Sequence, residues 1–374
     1  MRALPLLEAQ RAELETCVFC PKLCRSACPV SNADTRETVT PWGKMTSAWM
    51  TAHGDVPLDR SHARPAWACT GCLACRESCD HRNPVARVLL DAREALARRG
   101  VAPEAAQRVL RGFERHNERT RAAARRLAPH VGRARPRSEA ALLIGCGYLR
   151  SARREAGDAV DAAAGLLGPT AIVEACCGLP LRLAGGGEAF VRHARAVAQS
   201  LEPYRRVIVV DAGCALALGR SYPEAGVTLA PKVELLVQIA AIKLSALAPV
   251  PSPAQPVRWH DPCQLGRGMG VYDEPRTVLA RLIGGPPAEF EDNREQAVCS
   301  GGGGLLPSTM PEVAHTIAGA RLDAHARAGG GRVVTACASS LMALRARARG
   351  TGVAVDDLVT WIARGLRAAK TRRE

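Results

Sequence analysis

Two short stretches near the N-terminus each hold four closely spaced cysteines. The first, from Cys17 to Cys28, has the pattern C-x2-C-x3-C-x3-C, and the second, from Cys69 to Cys79, has the pattern C-x2-C-x2-C-x3-C. Gaps of two residues allow one tight turn to direct several thiolates at a single metal centre. Complete runs of four cysteines are typical of [4Fe–4S] cubanes, whereas structural zinc prefers two C-x2-C pairs at one site. We therefore expect two [4Fe–4S] clusters, with zinc as the alternative.

The last cysteine of each run is expected to serve the cluster of the other run, as in two-cluster ferredoxins. This rule predicts one cluster held by Cys17, Cys20, Cys24 and Cys79, and a second held by Cys69, Cys72, Cys75 and Cys28. The chain departs from the ferredoxin pattern, because an extra residue precedes Cys24 and Asp80 stands where a proline is usual. Neither departure removes a ligand. The residues between the runs favour a helix, so we expect a helical ferredoxin-like domain.

The cysteine count and the hydropathy pattern indicate a compartment in which thiols stay reduced. The chain of 374 residues has fifteen cysteines, an odd number. It has no apolar run of the ~20 residues that a membrane helix needs. The N-terminus lacks the apolar segment and cleavage site of a signal peptide. We therefore expect a cytoplasmic protein in which clustered cysteines bind metal rather than form disulfides.

The net charge of +15 comes mostly from arginines in helical stretches such as 119–137. One interpretation is an arginine-rich solvated surface. The other is a surface that docks onto an acidic partner or an anionic membrane, which would place the protein at the inner face of the membrane. We expect no nucleic-acid partner, because no helix-turn-helix, zinc finger or basic-aromatic motif accompanies the charge.

Beyond the cysteine runs the pattern predicts strands that alternate with helices, which is typical of parallel α/β layers. The predicted strands are 140–146, 206–210 and 332–336, and the predicted helices after residue 138 are 188–202, 232–245, 275–283, 312–327 and 355–368. We divide the chain into a two-cluster domain at 1–100, a basic helix and linker at 101–137, and two α/β domains at 138–250 and 251–374. The linker itself is expected at 129–137 and the seam between the α/β domains at the Pro-rich 248–256.

The two α/β portions repeat one order of motifs, which suggests a duplication. In each, a cysteine follows a strand, a Cys-Cys-Gly or Cys-Ser-Gly motif comes next, and a cysteine after another strand completes the set. Glycine runs at 184–190 and 300–306 follow the middle motif. They match no dinucleotide or Walker fingerprint, so we expect close backbone approach there rather than a nucleotide site.

The stretches "EACCGLPL" and "HDPCQLGRGMGVYDEPRTVL" resemble the cysteine-rich (CCG) domains of the heterodisulfide reductase B and D subunits. The same domains occur in the iron–sulfur subunits of glycolate and lactate oxidases and of anaerobic glycerol-3-phosphate dehydrogenase. The resemblance covers nearly the whole chain. It implies a multidomain protein, with an N-terminal all-α helical ferredoxin-like domain followed by two α/β CCG domains related by duplication.

The family motif runs Cys … Cys-Cys-Gly … Cys-x-x-Cys, and both copies here depart from it. The first copy matches at Cys146, Cys176, Cys177 and Cys214, with Asp211 in place of the first cysteine of the final pair. The second copy matches at Cys263, Cys299 and Cys337, with Ser300 and Ser340 in place of the others. A serine hydroxyl is a poor substitute for thiolate on iron. By ligand count, the four cysteines of the first copy could still hold a third iron–sulfur cluster. The alternative is that they are buried, redox-inert cysteines.

A metal site in the second copy is more doubtful by ligand count. His260, Asp261 or Ser300 would have to complete its three thiols. His260 has an equally ordinary interpretation as a structural histidine. No residue is assigned a catalytic role from the sequence.

The resemblance implies an iron–sulfur electron-transfer subunit. A flavoprotein partner would oxidise a hydroxy acid such as glycolate or lactate, and electrons would pass through two [4Fe–4S] clusters to quinone or another acceptor. The chain has no dinucleotide fingerprint, so hydride chemistry is expected in the partner. One alternative is a heterodisulfide reductase-like thiol–disulfide reductase that acts at a CCG-bound cluster. Another is a docking module without redox activity.

Overall fold

The computed structural model describes residues 1–22, 24–127, 139–251 and 255–372. The linker predicted at 129–137 lies outside the described residues, as does part of the predicted seam at 248–256. The chain divides into two compact units that do not follow sequence order. The N-terminal unit comprises Met1–Phe113, Leu179–Phe190 and Glu295–Asp323, and the sheet unit comprises Glu114–Gly178, Val191–Arg294 and Ala324–Glu374.

The bounds of the secondary-structure elements are as follows. The helices are α1 (Arg11–Val18), α2 (Pro29–Ala33), α3 (Pro41–His53), α4 (Arg60–Ala63), α5 (Ala74–Glu77), α6 (Val85–Arg98), α7 (Glu104–Leu127), α8 (Cys146–Ser151), α9 (Arg153–Leu167), α10 (Leu179–Ala184), α11 (Gly187–Leu201), α12 (Ala212–Leu216), α13 (Tyr222–Glu224), α14 (Leu236–Ile242), α15 (Gly266–Met269), α16 (Asp273–Ile283), α17 (Leu306–Thr309), α18 (Pro311–Arg327), α19 (Ala338–Ala348) and α20 (Leu358–Thr371). The strands are β1 (Ala140–Leu143), β2 (Ala171–Ile172), β3 (Arg206–Val209), β4 (Lys232–Leu235), β5 (Val257–Trp259), β6 (Arg332–Thr335) and β7 (Ala354–Asp357). None of the helices in the described ranges is both long enough and apolar enough to cross a membrane.

In the N-terminal unit, helices surround an aliphatic core. The helix expected between the cysteine runs is α3, which begins where the Thr40 hydroxyl accepts a hydrogen bond from Gly43 N and ends at Gly54 with φ of 87°. This is the usual pairing of a hydroxyl N-cap with a left-handed glycine at the C-terminus. Helix α6 buries residues three and four apart, including Val85, Val88 and Leu89, as an amphipathic helix must.

Two later segments of the chain belong to the N-terminal unit and bring their glycine runs against it. A Cβ on Gly185 would lie 2.5 Å from the carbonyl oxygen of Arg93, and one on Gly304 would lie 2.1 Å from that of Cys69. Both glycines have positive φ, at 93° and 66°. The close backbone approach expected of the glycine runs is therefore present at both positions, and neither tolerates a side chain.

The sheet unit contains two small parallel sheets. The first has the strand order β2-β1-β3-β4 and the second β5-β6-β7. A single parallel bridge from Arg258 to Ala288 flanks β5, in the position that β2 holds beside β1. Strand β1 is apolar throughout and β3 is apolar and buried after Arg206, as is typical of strands in parallel sheets that are covered on both faces.

The predictions of uninterrupted helices at 232–245 and 355–368 are wrong at their first residues. Lys232–Leu235 is strand β4, in parallel register with β3, and Ala354–Asp357 is strand β7, in parallel register with β6. Each strand passes directly into a helix with no intervening loop, and at β7 the only boundary signal is Asp357, whose side chain accepts a hydrogen bond from Val359 N as the N-cap of α20. Pairing beside a buried strand satisfies these backbone groups, which outweighs the local helical pattern.

Candidate metal centres

The eight N-terminal cysteines form two groups in the structure, and these are the same groups that the sequence predicts. The first thiol set is Cys17, Cys20, Cys24 and Cys79, which line one cavity. The second thiol set is Cys28, Cys69, Cys72 and Cys75, which line another. Cys75 borders both cavities, so the two sets are neighbours.

Local backbone features and N–H donors position these thiols. Cys28 directly precedes Pro29, which starts α2 with the φ that proline favours. The loop after Cys69 turns tightly at Gly71, whose φ is 69° and whose N–H donates to Cys69 Sγ at 3.4 Å. In the first set, Asn83 Nδ2 donates to Cys17 Sγ at 3.1 Å. Such N–H···S bonds favour sulfur in its anionic, metal-binding form.

The surroundings of both sets disfavour unbound thiolates. Burial and the neighbouring thiols raise the pKa of Cys17 to about 12 and that of Cys24 to about 11. Burial, followed by the thiols of its own set, raises the pKa of Cys75 well above its ordinary value. Thiolates become stable in such surroundings when bound cations offset their charge.

The spacing of the thiols fits a cluster better than a single ion. In the described part of the chain, the one group of three or more such donors within 4.8 Å of one another is His116, Cys146 and Cys176. A tetrahedral zinc ion with Zn–S bonds of ~2.3 Å holds its sulfurs about 3.8 Å apart. Among the described residues, no three donors of either N-terminal set lie within 4.8 Å of one another.

The second thiol set also contains a buried ammonium group. Lys44 is 2 % exposed, and its Nζ donates to Cys28 Sγ at 3.4 Å. No carboxylate in the described residues pairs with Lys44. Burial alone would lower the pKa of Lys44, but the thiols of Cys28, Cys69 and Cys75 hold it above its ordinary value. An anionic thiolate-bound cluster would supply the counter-charge that this buried cation needs.

In the sheet unit, the cysteines of the first CCG copy gather at one edge of the first sheet. Cys146 follows β1, Cys176 and Cys177 follow β2, and Cys214 lies on α12 after β3. The carboxyl ends of parallel strands meet at the same edge, which is where such folds place their sites. We call these four residues the CCG thiol set. Cys176 hydrogen-bonds with Cys146 and Cys177, and Cys177 with Cys214.

His116 belongs to this site, and sequence reasoning missed it. Its ring lies on α7 within 4.8 Å of the Cys146 and Cys176 thiols. Hydrogen bonds with Cys176 and His116 lower the pKa of Cys146 to about 6, despite burial. The next residue, Asn117, accepts a hydrogen bond from Cys176 N at 3.0 Å. No spacing rule links a histidine in an arginine-rich helix to cysteines that follow distant strands, so the sequence carried no signal for it.

Asp211, which stands where the family has the first cysteine of the final pair, lies beside the same thiols. Burial, together with the charges of Cys146 and Cys177, raises its pKa to about 7, although Ala338 N donates to its Oδ1 at 3.0 Å. Two side chains hold the backbone of the CCG motif. The His193 ring bonds the carbonyl of Cys176 at 2.8 Å, and the Tyr222 hydroxyl donates to that of Cys177 at 2.9 Å.

The second CCG copy is divided between the two units. Cys263 and Cys337 lie in the sheet unit, and Cys299 and Ser300 lie in the N-terminal unit. Both carboxylate oxygens of Asp261 accept hydrogen bonds from Arg276 at 2.8 Å, so this candidate ligand is already committed to a salt bridge. Burial raises the pKa of Cys337 to about 12. His260 is buried, at 1 % exposure.

Comparison with known protein families matches residues 140–219 and 257–345 to the cysteine-rich domain called CCG, and residues 13–83 to a 4Fe-4S dicluster domain. The chain thus contains two regions of the CCG type and one of the 4Fe-4S dicluster type. The resemblance stated from its motifs is thereby confirmed, and so is the expectation of 4Fe–4S chemistry.

Several curated proteins are similar to this CCG-domain protein. The B subunit of fumarate reductase (CoM/CoB) from Methanothermobacter marburgensis is 26% identical over 349 residues, which cover 87% of this chain and 66% of that one. EtfAB:quinone oxidoreductase of Syntrophomonas wolfei is 28% identical over 267 residues, 64% of this chain and 36% of that one. The D subunit of dihydromethanophenazine:CoB–CoM heterodisulfide reductase from Methanosarcina barkeri is 30% identical over 118 residues, 29% of this chain and 28% of that one. The chain thus spans less than two thirds of the length of each relative.

Proposed function

We propose that this chain is the iron–sulfur electron-transfer subunit of an oxidoreductase complex. The observation that carries the proposal is the pair of neighbouring four-thiol sets that share a border at Cys75. The relatives support it, because their names describe a fumarate reductase subunit, a quinone oxidoreductase and a heterodisulfide reductase subunit. When bound, [4Fe–4S] clusters supply one-electron storage and transfer.

We assign one cluster to the first thiol set and one to the second, with the last cysteine of each run exchanged. The chain's own task is to bind the clusters, to exclude water from them and to balance their charge. Cys17, Cys28 and Cys72 are each 7 % exposed, which keeps much of both sites dry. A low local dielectric strengthens each nearby charge and hydrogen bond.

The partner and the acceptor are finer parts of the proposal. A flavoprotein that oxidises a small hydroxy acid such as glycolate or lactate would deliver electrons, and quinone or another acceptor would take them. The net charge of +15 would favour docking on an acidic partner or on an anionic membrane surface, with the protein peripheral to the membrane.

We further infer that the two CCG regions arose by duplication and that residues 1–100 form a ferredoxin-like domain. Strands β1, β3 and β4 of the first sheet follow the same order as β5, β6 and β7 of the second. The direct passage of β4 into α14 repeats that of β7 into α20. Shared topology at matching sequence positions is what a duplicated unit retains.

The electron-transfer proposal can be tested with the purified chain. The protein, isolated without oxygen and photoreduced, is mixed with excess menadione, and recovery of the visible absorbance of oxidised clusters is followed by stopped flow. We expect rapid reoxidation, with loss of at least tenfold in rate in Cys69→Ser and none in Cys263→Ser. Cys69→Ser protein that transfers electrons as fast as the unaltered chain would contradict the proposal.

A second candidate function rests on the CCG thiol set. Cys146, with its pKa lowered to about 6 through Cys176 and His116, is largely thiolate at neutral pH. This state is suited either to binding a third iron–sulfur cluster or to thiol–disulfide exchange. Two electrons and two protons would convert a disulfide substrate to two thiols. With reduced viologen as donor, disulfide turnover that Cys177→Ser abolishes would support this function, and turnover that it leaves intact would exclude the CCG thiol set.

A further inference from the structure

The two N-terminal thiol sets differ in the cations around them. The second set contacts two buried cations, Lys44 and Arg93, each 2 % exposed. Lys44 Nζ donates to Cys28 Sγ at 3.4 Å, and Arg93 Nη2 donates to the carbonyl oxygen of Cys69 at 2.8 Å. Neither side chain has a carboxylate partner among the described residues. Arg93 instead bonds the carbonyls of Ala66, Leu183 and Gly304.

The two cations that flank Cys24 in the first set reach solvent and share one carboxylate. Lys22, which lines the cavity of that set, is 39% exposed, and its Nζ lies 3.7 Å from Glu37. Arg25 also pairs with Glu37. Solvent and a carboxylate screen such charges, whereas a buried, unpaired charge acts at full strength on its neighbours.

We propose that Lys44, assisted by Arg93, raises the reduction potential of the cluster at the second thiol set above that of the cluster at the first. The inference rests on the proposed function, since it needs both sets to hold clusters. Reduction adds one negative charge to a centre that is already anionic. A fixed positive charge in contact with a ligand sulfur stabilises the reduced form more than the oxidised form.

The consequence is a direction for electron flow. With clusters bound at both sets, an electron would favour the second set, which would then be the side that passes electrons to the acceptor. Lys44 acts through Cys28 rather than on a substrate, so it is a positioning residue. Its effect is measured as a change in the reduction potential of the cluster.

The test is an EPR-monitored redox titration of the full chain with three substitutions of Lys44. Lys44→Gln removes the charge and keeps an N–H donor, Lys44→Met removes both, and Lys44→Arg keeps the charge. We expect the Gln and Met variants to lower the higher of the two reduction potentials by at least about 59 mV, which for one electron is a tenfold change in the equilibrium constant. The lower potential should stay unchanged. In Lys44→Arg, the equilibrium constant for reduction at the second set should stay within threefold of that of the unaltered chain. Lys22→Met, the matched control at the first set, should change neither potential.

Three results would overturn the inference. One is a Gln variant with both potentials unchanged, and another is an equal fall of both. The third is loss of iron from both the Met and Gln variants while Lys44→Arg retains it, because Lys44 would then serve assembly and not potential. Iron and sulfide counts on the unaltered chain separate the two proposals. A chain without iron contradicts the proposed function itself, whereas a fully loaded chain with unmoved potentials contradicts this inference alone.

Discussion

The N-terminal thiol sets and the CCG thiol set are built on the same residue type but in opposite surroundings. The N-terminal thiols are widely spaced, and the second set contacts the buried cations Lys44 and Arg93. The CCG thiols lie in hydrogen-bonding contact beside His116, and their buried neighbour Asp211 is an acid. Wide spacing with cations suits anionic clusters that accept electrons, whereas close contact with a histidine suits thiol chemistry or tight metal binding. Cysteine count alone would not separate these roles.

The largest expected effect tests whether the N-terminal thiol sets bind iron. Cys20→Ala removes a thiol of the first set, so iron should fall by about four atoms per chain, one cubane, as measured by iron and acid-labile sulfide analysis. Cys263→Ala is the matched control, because Cys263 belongs to neither N-terminal thiol set. Equal iron loss in both variants would contradict the claim that the N-terminal thiol sets bind iron and Cys263 does not.

The next effect tests the thiolate at the CCG set in protein stripped of metal. The pKa of Cys146, lowered to about 6, should rise when either hydrogen-bond partner is removed, so less thiolate is present at pH 7. We expect alkylation of Cys146 by iodoacetamide, followed by mass spectrometry, to slow about tenfold in Cys176→Ala and about threefold in His116→Ala. The order follows from Cys176 making the larger contribution. Unchanged rates in both variants would remove His116 from the site.

The smallest effect concerns a buried acid of the sheet unit. The Tyr148 hydroxyl donates to Asp357 Oδ2 at 2.6 Å, and burial raises the pKa of Asp357 to about 7. Because its folded pKa exceeds its unfolded value, this group's contribution to stability is present at low pH and is lost as pH rises through about 7. Tyr148→Phe should lower the free energy of unfolding by about 1–3 kcal/mol. The loss should be larger at pH 8 than at pH 6, since the charged carboxylate needs the donor most.

Thermal unfolding at the two pH values measures this difference. Tyr222→Phe serves as the control, because its hydroxyl donates to a backbone carbonyl, that of Cys177. A Tyr148→Phe effect that does not vary with pH would mean that Asp357 is not protonated near neutrality.

Local spacing allowed the sequence to predict the two N-terminal thiol sets and the apolar strands β1 and β3. What it missed depends on contacts between distant parts of the chain. Lys44 reads as an ordinary lysine in α3 until the fold buries it beside Cys28. His116 reads as a polar residue of α7 until the ends of β1 and β2 place Cys146 and Cys176 beside it. Strands β4 and β7 owe their form to the neighbouring strands with which they pair, and Asp261 was unavailable as a ligand because Arg276 holds it.

The account depends most on iron held by the two N-terminal thiol sets. The direct measurement is the metal content of protein purified without oxygen, combined with EPR after reduction. We predict a brown protein with about eight iron and eight sulfide from these sets, and spin-coupled signals from two neighbouring clusters. A colourless protein with zinc in place of iron would contradict the central claim.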